Sequence, residues 1–68
     1  MQKPWMYQYA ILKTDHGFII RRSDAAGNIL YLSRTAAGIA WIPDTDRADN
    51  LSEKAAWHHM QAIIEGRI

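Results

Sequence analysis

The stretch SEKAAWHHMQAIIEG, from Ser52 to Gly66, decides the fold of this chain because its apolar residues follow helical spacing. Ser52 is a residue type that caps helix N-termini, and Glu53 places a negative charge in the first turn, where the helix dipole favours it. Gly66 stands where a helix-ending glycine belongs. We therefore predict one helix from about Glu53 to Glu65.

The predicted helix is amphipathic, and its apolar face should pack against the remainder of the protein. The residues on that face are Ala56, Trp57, Met60, Ile63 and Ile64. We expect Trp57 and Met60 to be buried, together with Ile63 or Ile64.

Upstream of Ser52 the hydrophobic period changes from helical spacing to two, which is typical of strands. The four segments with this pattern are WMYQYAILK, FIIRRS, ILYLSR and IAWI. Turn signals separate them, in the order TDHG, DAAGN and TAAG, and Pro43 ends the last one. The sequence predicts an α+β fold: an antiparallel β-meander of three to four strands with one C-terminal α-helix packed on one face. A single domain should span residues 1–68.

Composition narrows the possible environments. Eight Lys and Arg residues against seven Asp and Glu give a net charge of +1, less basic than a dedicated nucleic-acid module usually is. There is no cysteine, which excludes disulfides and thiolate metal sites. So small a secreted domain would usually need disulfides, and the sequence shows neither a signal-peptide pattern nor an apolar run long enough to span a bilayer. We expect a cytoplasmic protein that does not enter membranes.

No residue group has the pattern of a catalytic or metal site. His58 and His59 are neighbours on the predicted helix and point in different directions, whereas helical metal ligands stand three or four residues apart. Asp44, Asp46 and Asp49 suggest a calcium loop, but the glycine and the closing glutamate of such a loop are missing. We expect no enzymatic activity, no metal and no cofactor.

Aromatic and aliphatic residues on both faces of the first and third strands indicate a binding surface. One helix covers one face of a sheet, and a soluble monomer rarely exposes a large apolar patch without a use. Either loops cover the second face, or that face contacts a partner. The residues expected to form the contact, on the face opposite the helix, are the anchors Tyr7, Tyr9 and Tyr31 and the rim residues Arg22 and Arg34. A homodimer could bury the same patch.

Two resemblances bear on function. In its length, its lack of cysteine and its lack of a catalytic motif, the chain resembles small accessory proteins of phages and mobile elements, among them anti-CRISPR proteins. That resemblance implies a phage-encoded inhibitor that binds a protein or a protein–nucleic acid complex of host defence. Strands followed by a helix with Ser52, Glu53, Ala55, Ala56 and Gly66 are similar to AP2-like and integrase arm-binding domains. That second resemblance implies DNA binding by the sheet, through arginines such as Arg21, Arg22 and Arg34.

Overall fold

A computed structural model of the protein describes residues 7–66, and it confirms the predicted α+β fold. Trp5 and Met6, at the start of the first predicted strand, lie outside the described residues. The elements are β1 (Gln8–Thr14), β2 (Gly17–Ser23), β3 (Ile29–Thr35), β4 (Gly38–Ile42), a 3-10 turn (Thr45–Arg47) and α1 (Glu53–Ile64). The four strands form one antiparallel sheet in the order β1-β2-β3-β4.

The first and last hairpins end in the same turn, built from the sequence Thr-x-x-Gly. Thr14 pairs with Gly17 across the β1–β2 turn, and Thr35 pairs with Gly38 across the β3–β4 turn. In each turn the threonine Oγ1 donates to the glycine carbonyl, at 3.2 and 2.9 Å, and accepts from the amide two residues on, at 3.1 and 3.2 Å. Both glycines have positive φ, +141° and +125°, which few other residues adopt. These turns determine the strand register of each hairpin.

The two hairpins join over a short length, and a later segment fills the remaining gap. β2 and β3 pair at three positions, from Arg21–Tyr31 to Ser23–Ile29. Beyond them, Asp49 N donates to Leu32 O at 3.1 Å, and Leu51 forms an antiparallel bridge with Phe18. The segment from Asp49 to Leu51 therefore lies between β2 and β3 and satisfies backbone groups that a continuous sheet would have paired.

The helix packs on one face of this sheet. Its core cluster contains Ile20, Leu32, Leu51, Ala56, Met60 and Ile63. Ser52 caps α1 as predicted, because its Oγ accepts from Ala55 N at 3.1 Å, and Gly66 follows the helix with a φ of +75°. The predicted helix bounds agree with the observed ones to within one residue at each end.

The prediction that Trp57 is buried is wrong, since 61% of this residue is exposed. Neighbouring helical residues lie about 100° apart around the axis, so a helix that turns Ala56 squarely toward the sheet leaves Trp57 at the side. Small residues on the other flank of the helix, Ala55 and Ala62, are turned inward instead. Met60 and Ile63 are buried as expected, whereas Ile64 is 57% exposed.

Candidate binding surfaces

The five residues expected to share one contact face divide between the two faces of the sheet. Tyr9 pairs directly with Arg22, so both lie on the face that α1 covers. Arg34 lies on that face as well, because it is two residues from Leu32 in the same strand. Tyr31 pairs with Arg21 and lies on the opposite face. The expectation that the five residues lie together opposite the helix is therefore wrong.

Three of the predicted residues do meet, with a fourth that the sequence analysis missed. The guanidinium carbon of Arg22 lies 4.2 Å from the ring centroid of Tyr7 and 4.6 Å from that of Trp41. The Tyr9 ring lies 6.2 Å from Tyr7 and 6.0 Å from Trp41, tilted against both. We call Tyr7, Tyr9, Arg22 and Trp41 the arginine–aromatic cluster. It joins the edge strands β1 and β4 through their side chains.

The electrostatics of the arginine–aromatic cluster reflect its partial burial. Burial raises the pKa of Tyr9 above its ordinary value, the charge of Arg22 lowers it in part, and Tyr7 raises it. Among residues 7–66, no carboxylate forms an ion pair with Arg22. Arg22 thus brings a positive charge to a half-buried position, where the faces of the aromatic rings are its neighbours.

Arg34 has a partner within the protein, although 51% of its side chain is exposed, and the rim role expected for it stays a prediction. Its Nε donates to Asp49 Oδ2 at 2.8 Å, and its backbone N donates to the same oxygen at 2.7 Å. Burial raises the pKa of Asp49, but the hydrogen bonds and charge of Arg34, together with His59, lower it by more, so that this pKa lies below its ordinary value. Arg34 therefore holds the segment that fills the gap between β2 and β3.

A second candidate surface lies on the outer side of α1. Trp57 and Ile64, two turns apart, are 61% and 57% exposed, and Gln61 lies between them. We call Trp57, Gln61 and Ile64 the outer helix stripe. Trp57 separates two shallow grooves, one of which is lined in part by Lys54 and His58 and by no carboxylate.

The second groove beside Trp57 is lined by Met60, Gln61, Ile64 and Glu65. Met60 and Ile64 supply apolar surface on this side of the tryptophan, whereas most of the side chains on the other side are polar. The outer helix stripe thus combines exposed apolar area with Lys54 and His58 along one flank and Glu65 along the other. A sequence signal for it was present, because Trp57 and Ile64 lie at the edge of the apolar face of the helix.

The sheet face opposite the helix is covered in part. Ile19 is 4% exposed and lines a depression with His16, Asp46 and Asn50, so the loop before α1 covers this end. At the other end Ile29 is 46% exposed. Cover by a loop therefore applies to the end at Ile19, whereas a partner contact at the exposed end with Ile29 stays a prediction.

The histidine pair lies where the helix pattern placed it. His58 is exposed, His59 is half-buried, and their ring centroids are 6.1 Å apart. The described residues contain no group of three or more His, Asp or Glu side chains that could hold a metal ion.

Asp44 caps the 3-10 turn, since its Oδ1 accepts from Asp46 N at 2.9 Å. Asp44 thus has a role in forming the turn, as aspartates that accept from a backbone amide two residues later commonly do.

Comparison with known proteins does not assign the chain to a family: no family model, curated protein or solved structure matches it. The resemblances to anti-CRISPR proteins and to AP2-like domains stay predictions. Within residues 7–66, no helix has the length and apolar character needed to cross a membrane.

Proposed function

We propose that this protein is a non-enzymatic binding protein that occupies a protein partner, and that the outer helix stripe makes the contact. The observation that carries the proposal is the exposure of Trp57, 61% of which is open to solvent on a helix that could have buried it. Tryptophan is the residue type most enriched at the energetic centres of protein interfaces. Ile64 extends the apolar area along the same side of the helix.

The side chains on and beside the outer helix stripe indicate which partner surface would fit it. An apolar cleft receives Trp57 and Ile64, as grooves do that bind amphipathic helices. Acidic side chains border that cleft beside Lys54 and His58, because the described residues that line this groove include no carboxylate. The resemblance to anti-CRISPR proteins makes an effector complex of host defence the first partner to test.

DNA binding has less support from the geometry. Arg21 and Arg22 lie on opposite faces of the sheet, and Arg34 is paired with Asp49. Phosphate backbones are bound by several cations that act together on one surface. Sensitivity of the captured complex to nuclease distinguishes DNA binding from the proposed protein contact.

Capture from nuclease-treated host lysate, followed by calorimetry with the purified partner, tests the proposal. Trp57→Ala should weaken binding by about 30-fold or more, which corresponds to a hot-spot loss of about 2 kcal/mol. Ile29→Ala, which shortens another exposed apolar residue on the opposite side of the sheet, is the matched control and should bind as the unmodified protein does.

Three outcomes would contradict the proposal. Equal binding by Trp57→Ala and the unmodified protein would place the contact elsewhere. Capture that nuclease abolishes would indicate nucleic acid. A dimer in light scattering that Trp57→Ala converts to monomer would show that a second copy covers the stripe.

A further inference from the structure

Arg22 lies against aromatic rings, and its side chain forms no hydrogen bond or ion pair with residues 7–66. Its guanidinium carbon lies 4.2 and 4.6 Å from the ring centroids of Tyr7 and Trp41. Tyr9, paired with Arg22 across β1 and β2, contacts both of those rings. A cation–π contact of this kind uses none of the guanidinium N–H groups as conventional hydrogen-bond donors, so they can donate to another partner.

The contrast with Arg34 shows what Arg22 lacks. Arg34 donates from Nε to Asp49, within the protein. Arg22 has no carboxylate partner among residues 7–66, although it is half-buried. A guanidinium in that position is partly desolvated, so an anion that reaches it forms a stronger hydrogen bond than it would in water. The rings also restrict the side chain, which reduces the entropy lost on binding.

A carboxylate fits this position better than a nucleic-acid backbone does. The planar fork of arginine matches the two oxygens of a carboxylate, in a bidentate pair. The arginine–aromatic cluster contains one cation, and the neighbouring Arg21 lies on the other face of the sheet. A phosphate backbone would require several cations on one surface.

From these contacts we infer that Arg22 and the rings around it form a receptor for a carboxylate of a protein partner, separate from the outer helix stripe. The inference rests on the proposed function in one respect, that the carboxylate belongs to a protein. It does not depend on Trp57, so the two can fail independently.

NMR titration of the full chain with a tetraglutamate peptide tests the inference. The Nε–H signal of Arg22 and the indole N–H signal of Trp41 should shift and saturate together. Arg22→Lys keeps the charge but loses the planar fork, and it should weaken binding about tenfold. Arg21→Lys is the matched control, since it changes the adjacent residue on the opposite face, and its affinity should be unchanged. Thermal melts of both variants verify that they are folded.

Separate titrations with inorganic phosphate and with a short oligothymidylate identify other ligands. Weak or absent shifts with both, beside saturable shifts with the peptide, support a carboxylate receptor. Equal binding of the peptide by Arg22→Lys, or no shift at these two signals, would overturn the inference. Tighter binding of phosphate or of the oligonucleotide than of the peptide would overturn it as well.

Discussion

Phe18 and Leu51 form two backbone hydrogen bonds with each other, with N–O distances of 2.9 and 2.7 Å. They are far apart in the sequence, since Phe18 lies in β2 and Leu51 directly precedes the helix cap Ser52. Gly17 lies beside this bridge. A Cβ on Gly17 would stand 2.7 Å from the carbonyl oxygen of Leu51, closer than such atoms approach in proteins. The absence of a side chain at residue 17 is therefore what allows the bridge to form.

Gly17→Ala should destabilise the protein more than Gly38→Ala does. The two glycines occupy equivalent positions in their Thr-x-x-Gly turns, with φ values of +141° and +125°, and a Cβ on Gly38 meets no atom within 4 Å. Backbone strain alone should remove about 1–3 kcal/mol in Gly38→Ala. Urea unfolding measures the difference, which is the effect of the clash with Leu51. Equal losses would mean that the bridge adapts.

Trp57→Ala should leave stability nearly unchanged, whereas Met60→Ala should lower it strongly. An exposed substitution usually changes the free energy of unfolding by no more than about 0.5 kcal/mol. Met60 is 5% exposed in the core cluster, and truncation there removes about 2–5 kcal/mol. Thermal melts compare the two variants. A large loss in Trp57→Ala would show that the tryptophan packs within the protein, and would remove the support for the outer helix stripe.

Stability should fall in acid partly through Asp49. Its folded pKa lies below the ordinary value of 3.8, so its contribution is complete above that pH and is lost as pH falls through the lowered pKa. Asp49→Asn cannot titrate and should show a shallower loss of stability below about pH 4. Asp24, whose pKa is lowered by hydrogen bonds from Asn28, still titrates in that variant, so some loss remains. If the free energy of unfolding of Asp49→Asn and of the unmodified protein falls equally in acid, protonation of Asp49 does not contribute to the loss.

Stability should also fall in alkali through Tyr9. Burial raises its folded pKa above the ordinary value of 10.0, so the folded protein keeps the phenol proton more strongly than the unfolded chain does. This contribution is complete below about pH 10 and is lost as pH rises through the folded pKa. Tyr9→Phe, which keeps the ring beside Arg22, should lose less stability between about pH 9 and pH 11. Chemical unfolding across this range is the measurement, and equal slopes would contradict the assignment.

Local patterns predicted the elements because local chemistry produces them. The Thr-x-x-Gly turns need positive φ at one residue, which a glycine at that position signals, and Ser52 caps the helix through its own side chain. The bridge at Leu51 escaped prediction because one residue pair has no periodicity. The sequence DTDRADN reads as a polar loop, although its last residues lie between two strands.

Loop length decides which of the predicted contact residues could be placed on the correct face from the sequence. The short β1–β2 turn places Tyr9 opposite Arg22, which a two-residue loop determines. The longer loop between Ser23 and Ile29 could close in more than one register, and a shift of one residue moves Tyr31 to the other face. The last hairpin pairs Trp41 with Leu32, but Trp41 shares the face of Arg22 only in the observed β2–β3 register. The same loop therefore kept the contact between Arg22 and Trp41 from being predicted.

The filled gap between β2 and β3 has a consequence for the order of folding. Each hairpin is closed by contacts between near neighbours in the chain and can form early, because little loop entropy opposes it. The contacts that join the hairpins through the segment from Asp49 to Leu51 involve residues distant in sequence. We therefore expect these contacts to form after the transition state for folding. Leu51→Ala should accordingly accelerate unfolding more than it slows folding in stopped-flow experiments. The hairpins would then nucleate folding, and breaking of the bridge between Phe18 and Leu51 would limit the rate of unfolding and thus the lifetime of the folded state.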